Sequence, residues 1–174
     1  MSQTATYILD SDIFITAKNR YYSFAICPGF WDSLLYFHKS DVIASIDHVR
    51  TELLRGRKSD ELVKWVENDL PSSFFKDSGT EQVANAFRDI MLWVQRNPQY
   101  FDHAKAKFAT DADGWLVAYA MVHNGAVVTN EQPQPQSRNR VMIPDIFDNF
   151  KVSYKDTFGM LQELKVSYEW REVL

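Results

Sequence analysis

Acidic side chains directly follow two apolar segments of this chain, and their type and position point to chemistry. Asp10 and Asp12 come after the run Tyr7–Leu9, and Glu131 follows the run Ala126–Thr129. Short apolar runs of this kind predict buried strands, and open parallel sheets bind ligands outside the carboxyl ends of their strands. A lone Asp after a strand is more often an ordinary loop or helix-capping residue. These positions therefore do not define a site by themselves.

Glu52 lies in a segment with helical periodicity, on or beside the face that should be buried. Val49, Glu52 and Leu53 have the spacing i, i+3 and i+4, which places them on one side of a helix. Two interpretations stay open. Glu52 is either a boundary residue whose carboxylate reaches water, or a carboxylate held at the core for a function.

Asp113 heads a stripe of apolar residues at helical spacing. The stripe continues through Leu116, Val117, Ala120 and Met121. An unpaired buried carboxylate is costly, so Asp113 requires a cation, a hydrogen-bond donor or a raised pKa. The alternative is a capping box with Thr110, in which Asp113 stands in place of Glu. Asp111 is most simply a first-turn acid that faces the helix dipole.

Five acids should meet if the sheet is parallel, because they fall at strand ends or in early turns of nearby helices. They are Asp10, Asp12, Glu52, Asp113 and Glu131. A cluster of carboxylates cannot stay fully ionised without a counter-charge, and hard oxygen ligands favour Mg²⁺ or Mn²⁺. Magnesium held by carboxylates typically acts on phosphate groups. The sequence therefore predicts a divalent metal site for phosphate chemistry.

Strand and helix patterns alternate along the chain, and this predicts an α/β fold with a mostly parallel sheet. Strands are predicted at 7–9, 42–44, 73–75, 126–129 and 141–143. Helices are predicted at 30–38, from 46 to a stop at Gly56, and at 61–70, 81–96, 111–123 and 156–164. The Pro- and Gln-rich stretch 130–140 is interpreted as a surface loop inside one domain.

Composition and charge exclude several classes of protein. Of the 174 residues, 45% are hydrophobic and 24% are charged, which is typical of a globular chain. The single Cys27 excludes an intrachain disulfide, and no apolar stretch approaches the length of a spanning helix. Residues 1–6 lack the features of a signal peptide. The net charge of −4 argues against a wholly basic surface, although a local basic groove stays open. We expect a soluble, cytoplasmic protein that does not bind membranes.

Four segments, in order, resemble the PIN-domain ribonuclease family, the fold of many bacterial toxins of toxin–antitoxin pairs. They are Tyr7–Ile15, His48–Leu53, Asp113–Ala120 and Gly125–Glu131. Their order and rough spacing match the family, and they span about positions 7 to 131. The resemblance implies a PIN-like three-layer α/β/α fold with a central, mostly parallel sheet, formed as a single domain by residues 1–174.

The resemblance also implies which residues act. Asp10, Glu52 and Asp113 take the catalytic positions and hold Mg²⁺ or Mn²⁺ for hydrolysis of RNA phosphodiester bonds. Glu131 is the preferred fourth metal ligand, although the family usually has Asp after a Val-Thr strand end, where Asn130 stands in this chain. The supporting positions are Ser11, Asp12, Asp111, Thr129 and Asn130.

A basic run beside Glu52 is the candidate for steering RNA, although a solvated helix face is the commoner explanation for such a run. It comprises Arg50, Arg55, Arg57 and Lys58, with Arg138 and Arg140 as weaker candidates. As a toxin, the protein would also bind an antitoxin, which could place an Arg or Lys in the acidic pocket. Assembly into a homo-oligomer stays open.

Two other functions compete with the nuclease. Asp10-Ser11-Asp12 after a strand resembles the start of a haloacid-dehalogenase-type phosphohydrolase. That family places Thr or Val two residues after the second Asp, where this chain has Phe14, and the expected later Lys is not evident. The other alternative is a non-catalytic α/β domain that binds a partner protein through some of its aromatic residues.

Overall fold

A parallel sheet forms the centre of the molecule in the computed structural model, which describes residues 7–170 and residue 172. Its strands are β1 (Tyr7–Leu9), β2 (Ile43–Ile46), β3 (Phe75–Lys76), β4 (Ala126–Val128) and β5 (Tyr154–Lys155). The strand order is β3-β2-β1-β4-β5, and each neighbouring pair is parallel. Every residue of β1 is apolar and buried, as expected for a central strand covered on both faces.

Helices connect the strands, and one more helix follows β5. They are α1 (Ser11–Thr16), α2 (Pro28–Lys39), α3 (Asp47–Leu53), α4 (Glu61–Asn68), α5 (Glu81–Arg96), α6 (Asp102–Thr110), α7 (Asp113–His123), α8 (Ile143–Phe150) and α9 (Thr157–Glu163). The chain runs outward from β1 to β3 and then returns past β1 to β4 and β5. Because parallel crossovers are right-handed, α1–α4 and α5–α8 lie on opposite faces of the sheet. The result is a three-layer α/β/α arrangement.

The sheet grows in opposite directions on the two sides of the β1–β4 pair. β2 and β3 lie on the β1 side, and β5 lies on the β4 side. Leu9 pairs with Val128 at the ends of these strands. From these ends the chain continues to helices on opposite faces of the sheet. Such a switch point opens a crevice where α/β proteins bind ligands. The residues that follow β1 and β4 are Asp10 and Thr129, so the fold directs two of the predicted site segments to this crevice.

Two strand predictions are wrong in whole or in part. The segment predicted as a strand at 141–143 enters helix α8 instead, with Pro144 in its first turn, where proline lacks only an N–H that the helix does not use. The strand predicted at 73–75 is a 3₁₀ turn over Ser72–Phe74, followed by the two-residue strand β3. The strands predicted near residues 7, 43 and 126 are confirmed.

Several elements had no prediction from the sequence. Asp10 caps α1 by accepting a hydrogen bond from the Ser11 N–H, and α1 continues into a π-helical turn over Ala17–Tyr21. No bounds were predicted for helix α6, and strand β5 was not predicted. β5 contains two residues and one of them is exposed, so it carries no readable hydrophobic pattern.

Helix α7 packs closely against α5 and α6, and Gly114 permits this approach. A Cβ atom at Gly114 would lie 2.8 Å from Phe87 Cε2 and 3.2 Å from Phe108 Cε1. The Phe87 ring cannot move away easily, because it stacks on Trp115 with 4.0 Å between ring centroids. The close contact between the two helices therefore depends on the absence of a side chain at this position.

Gly114→Ala is expected to lower the free energy of unfolding. Alanine in a helix normally gains about 1 kcal/mol over glycine, but overpacking a filled core costs about 1–3 kcal/mol, and the second effect should exceed the first. Urea denaturation of the two proteins measures the difference. A more stable variant would show that the Phe87 ring moves aside at little cost.

No helix in the part of the chain that the structure describes is long and apolar enough to cross a membrane. The prediction about a signal peptide concerns residues 1–6, which lie outside the described residues.

Candidate active site

Carboxylates from four separate segments line one pocket at the carboxyl ends of β1 and β4. This acidic pocket has a volume of about 250 Å³. Its acids and its serine come from the predicted set, namely Asp10, Ser11, Asp12, Glu52, Asp111, Asp113 and Glu131. Three cationic side chains complete the lining, and these are Arg55, Lys107 and Arg140. The structure therefore brings together all five acids whose convergence the sequence suggested.

Asp10 lies deepest in the acidic pocket and accepts hydrogen bonds from the N–H and the hydroxyl of Ser11 and from the hydroxyl of Thr129. It is 3% exposed. Its Oδ1 accepts a 2.6 Å bond from the Ser11 N–H, and its Oδ2 accepts a 2.9 Å bond from the hydroxyl of Thr129. The Thr129 hydroxyl also accepts a bond from the Glu131 N–H. Thr129 thus joins the end of β4 to the acid that follows β1.

Asp12 connects the first turn of α1 to the segment after β4. Its Oδ2 accepts a 3.0 Å hydrogen bond from the Asn130 N–H. Its Oδ1 is buried and has no hydrogen-bond partner among the described residues. A buried carboxylate oxygen without a partner is uncommon, because it loses water and gains no donor. This oxygen is therefore available to a ligand.

Asp113 and Glu52 meet at the start of α7. Glu52 reaches across from α3, and its Oε1 accepts a 3.0 Å hydrogen bond from the Ala112 N–H. The capping-box interpretation of Asp113 is wrong, because the Thr110 hydroxyl donates to the Lys107 carbonyl and no side chain caps α7 locally. Among the described residues the Asp113 side chain makes no hydrogen bond, although it is only 9% exposed. Glu52 supplies the cap that the local sequence lacks.

The Glu131 side chain lines the acidic pocket, whereas the Asn130 side chain does not. The Asn130 Oδ1 accepts hydrogen bonds from the N–H and the hydroxyl of Thr157, so this side chain is held at the start of α9. The Glu131 side chain is 10% exposed, forms an ion pair with Arg140, and accepts a 3.1 Å bond from the Ile143 N–H at the start of α8. The geometry favours Glu131 over Asn130 as a fourth acid.

Crowding and burial raise the pKa of three acids in the acidic pocket. Burial, followed by repulsion from Asp12 and Asp113, raises the pKa of Asp10 well above its usual value. Burial, with repulsion from Glu131, raises the pKa of Asp12 to about 6. Burial, with repulsion from Glu131 and Glu52, raises the pKa of Asp113 to about 7. Without added positive charge, the pocket thus holds more negative charge than it stabilises.

The predicted basic run is only partly at the pocket. Arg55 lines it, whereas Arg50, Arg57 and Lys58 are exposed and do not. Lys107 lines it through a 2.6 Å ion pair with Asp111. Because Asp111 follows the end of α6 and precedes α7, its interpretation as a first-turn acid of α7 is wrong.

The sequence did not predict Lys107 as a residue of the pocket, and it indicated Arg140 only as a weaker candidate. The Lys107–Asp111 spacing of i, i+4 was a readable signal, since such pairs meet on one helix face. Arg140 belongs to an irregular segment, and only the fold shows that it returns to Glu131.

The donor chemistry of the acidic pocket fits a hard divalent cation. Carboxylate oxygens are the ligands that Mg²⁺ and Mn²⁺ prefer. The Asp12 Oδ1 has no hydrogen-bond partner among the described residues, and burial with mutual repulsion raises the pKa of Asp10, Asp12 and Asp113. Within residues 7–170 and 172, however, no group of three or more His, Cys, Asp or Glu side chains is arranged so that it could hold a metal ion. The side chains would have to close around an ion.

The fold of this chain has a counterpart among solved structures. It is similar to a chain of the crystal structure of VapBC2 from Rickettsia felis bound to a DNA fragment from their promoter. The TM-score is 0.54 with 15% sequence identity, and the match covers 86% of this chain and 97% of that chain. The predicted PIN-like α/β/α fold with a central parallel sheet is confirmed.

The family of the chain follows from its sequence. Residues 7–168 match the family described as a domain of unknown function, DUF4411, and the chain belongs to that family. No curated protein matches the chain. At 15% identity, the structural likeness shows the fold, and the activity has to be argued from the site.

Proposed function

We propose that this protein is a metal-dependent endoribonuclease that hydrolyses RNA phosphodiester bonds. The observation that carries the proposal is the convergence of five carboxylates, from four distant segments, at the switch point of a parallel sheet. Three of these acids have a raised pKa. An arrangement that costs stability is expected where function requires it. A divalent ion offsets the repulsion and matches phosphate chemistry.

The side chains divide the work. Asp10, Glu52 and Asp113 would hold Mg²⁺ or Mn²⁺, and Glu131 would be the fourth ligand. The bound ion would supply a Lewis acid for the phosphate and an activated water. Thr129 and the Ser11 N–H fix both oxygens of Asp10, so Asp10 would be the fixed point around which the other carboxylates close.

The cationic rim of the acidic pocket suits a polyanion. Arg55, Lys107 and Arg140 line the same pocket as the acids, so phosphates beside the cut site would meet positive charge. Arg140 would then exchange its ion pair with Glu131 for a phosphate oxygen, which its planar guanidinium can bind with two donors.

A role as the toxin of a toxin–antitoxin pair extends this proposal. It is supported by the four motifs that resemble PIN-domain toxins and by the likeness of the fold to a chain of VapBC2. In this role the chain is cytoplasmic and binds a protein antitoxin that covers the acidic pocket. An Arg or Lys of that antitoxin would neutralise the carboxylates in place of the metal.

The phosphohydrolase alternative fits the geometry less well. It requires Asp10 to attack phosphorus, but the Asp10 side chain is 3% exposed and both of its oxygens already accept hydrogen bonds. Burial to this degree leaves little room for the direct approach to phosphorus that a nucleophile requires.

Cleavage of an unstructured, end-labelled RNA tests the nuclease directly. Purified wild-type protein should cut this RNA with Mn²⁺ and stop when EDTA is added. The Asp10→Asn variant should not cut it. Asp148→Asn is the matched control, since Asp148 is exposed on α8 and does not line the pocket. Cleavage that persists in Asp10→Asn would contradict the proposal. Hydrolysis of phosphate monoesters without RNA cleavage would favour the phosphohydrolase.

Growth of cells that express the chain tests the toxin role separately. Expression of the wild type should slow growth, whereas expression of Asp10→Asn should not. Normal growth with an active, folded enzyme would contradict the toxin role and leave the nuclease intact.

A further inference from the structure

A second cavity adjoins the acidic pocket and has a different chemical character. This aromatic groove has a volume of about 420 Å³, within the range of small-molecule and nucleotide sites. It shares Asp12 and Glu131 with the acidic pocket, so the two cavities are neighbours that meet at these two side chains. Its lining also includes Arg20, Tyr21, Tyr22 and Phe158.

The π-helical turn after α1 builds one wall of the aromatic groove. The Tyr22 N–H donates to the Ala17 carbonyl at 2.8 Å, which is the i to i+5 bond of a π-helix. Such turns are rare and occur frequently at functional sites. Here three consecutive side chains, those of residues 20 to 22, all line the groove.

Two of the aromatic rings are open to solvent, whereas the third is anchored. Tyr21 is 57% exposed and Phe158 is 46% exposed, and their ring centroids are 5.7 Å apart in an edge-to-face arrangement. Tyr22 stacks on the buried Phe30 with 4.6 Å between centroids. Tyr21 and Phe158 therefore form an exposed aromatic pair in the cavity that adjoins the acids.

We propose that the aromatic groove binds an unpaired base of the RNA whose neighbouring phosphate lies in the acidic pocket. This inference rests on the proposed nuclease function and assigns Tyr21, Phe158 and Arg20 as the side chains that would hold the substrate beside the cut site. Exposed aromatic rings stack on bases of any sequence, and Arg20 has no ion pair among the described residues and can contact a phosphate. A base inside a duplex cannot enter, because it is already stacked and paired.

The acids that line the aromatic groove are consistent with a base as its occupant. Asp156 accepts a hydrogen bond from the Gly159 N–H and caps α9, so its charge is partly engaged. Asp12 and Glu131 lie at the shared boundary with the acidic pocket. A neutral base avoids the repulsion that a phosphate would meet along this wall.

Equilibrium binding of a labelled 12-nucleotide RNA in EDTA tests the proposal without cleavage. Three ligands are compared, namely the single strand, a duplex of the same sequence, and a ribose-phosphate 12-mer without bases. Wild type should bind the single strand about 10-fold or more tightly than either of the other two. Tyr21→Ala and Phe158→Ala should each remove most of this preference for bases, whereas Tyr21→Phe should keep it.

Two further variants separate stacking from charge. Tyr36→Ala is the control, because Tyr36 is 67% exposed on α2 and does not line the groove. It should bind as wild type does. Arg20→Gln should weaken binding of the single strand and of the abasic 12-mer alike, because a phosphate contact does not distinguish bases. Thermal melting confirms that each variant is folded.

Equal affinity of wild type, Tyr21→Ala and Phe158→Ala for the single strand would overturn the proposal, as would equal affinity of wild type for the single strand and the abasic 12-mer. If the alanine variants kept RNA affinity but lost a protein that copurifies with wild type, the groove would be a protein-docking surface. RNA cleavage decides the nuclease function independently, since binding without cleavage supports the groove alone.

Discussion

Asp113→Asn is expected to abolish RNA cleavage while leaving the metal-free protein at least as stable as the wild type. The substitution keeps the shape of the side chain and removes its charge. Loss of one metal ligand should lower the cleavage rate about 100-fold or more, because a bound metal ion supplies several kcal/mol of transition-state stabilisation. Stability should rise, because Asp113 is repelled by Glu131 and Glu52 and makes no hydrogen bond among the described residues.

Cleavage with Mn²⁺ and melting without metal form the pair of measurements for Asp113→Asn. Asp148→Asn serves as the control again, and it should change neither. The two measurements distinguish a metal ligand from a structural residue, because substitution of a structural residue would lower both the activity and the stability of the protein. Full cleavage by Asp113→Asn would remove Asp113 from the set of proposed metal ligands.

The metal-free protein is expected to lose stability as the pH rises from about 4 to about 7. A carboxyl whose folded pKa exceeds its unfolded pKa binds more protons in the folded state, so the free energy of unfolding falls as pH rises between the two values. For Asp113 these are the ordinary value of 3.8 and about 7, and for Asp12 they are 3.8 and about 6. Asp113 alone contributes at most about 4 kcal/mol, at about 1.4 kcal/mol per pKa unit.

Metal should reverse this loss, because it binds the folded chain and not the unfolded one. At 100 times its dissociation constant, an ion adds about 2.7 kcal/mol. Melting temperatures measured from pH 4 to pH 8, with EDTA and with millimolar Mn²⁺, should diverge as the pH rises. A wild-type profile in EDTA that is as flat as that of Asp113→Asn would contradict the proposed electrostatics.

The difference between the two profiles isolates Asp113 from the other titrating groups. His123 acts in the opposite direction, because burial lowers its pKa and a folded state that binds fewer protons gains stability as pH rises. This contribution is present in both proteins and cancels in the comparison.

The sequence predicted the elements that carry a local signal. Helix α5 begins and ends where its apolar periodicity does, and Thr80 caps it by accepting a hydrogen bond from the Val83 N–H. β1 is a short apolar run that ends in a capping acid. The acids of the pocket were also predicted, because each follows a strand or belongs to a recognisable helical pattern.

The sequence could not predict the contacts that depend on distant partners. Glu52 caps α7 from 60 residues away along the chain, and no local pattern indicates that pairing. The hydrophobicity of Val141–Ile143 predicts a strand, but Ile143 begins helix α8, whose first turn accommodates Pro144. Glu131 accepts a hydrogen bond from the first N–H of that helix. Tertiary contacts decide the structure of such short segments.

The strand order has a consequence for folding during synthesis of the chain. Among the strands that the structure describes, β1 is synthesised first and lies at the centre of the sheet, yet its neighbour β4 begins only at Ala126. At ordinary rates of translation, one edge of β1 waits roughly ten seconds for its partner. During this interval the nascent chain carries an open, apolar strand edge that invites wrong pairing. The pocket cannot exist before that edge closes, so an incomplete chain carries the aggregation hazard of this fold without its chemistry.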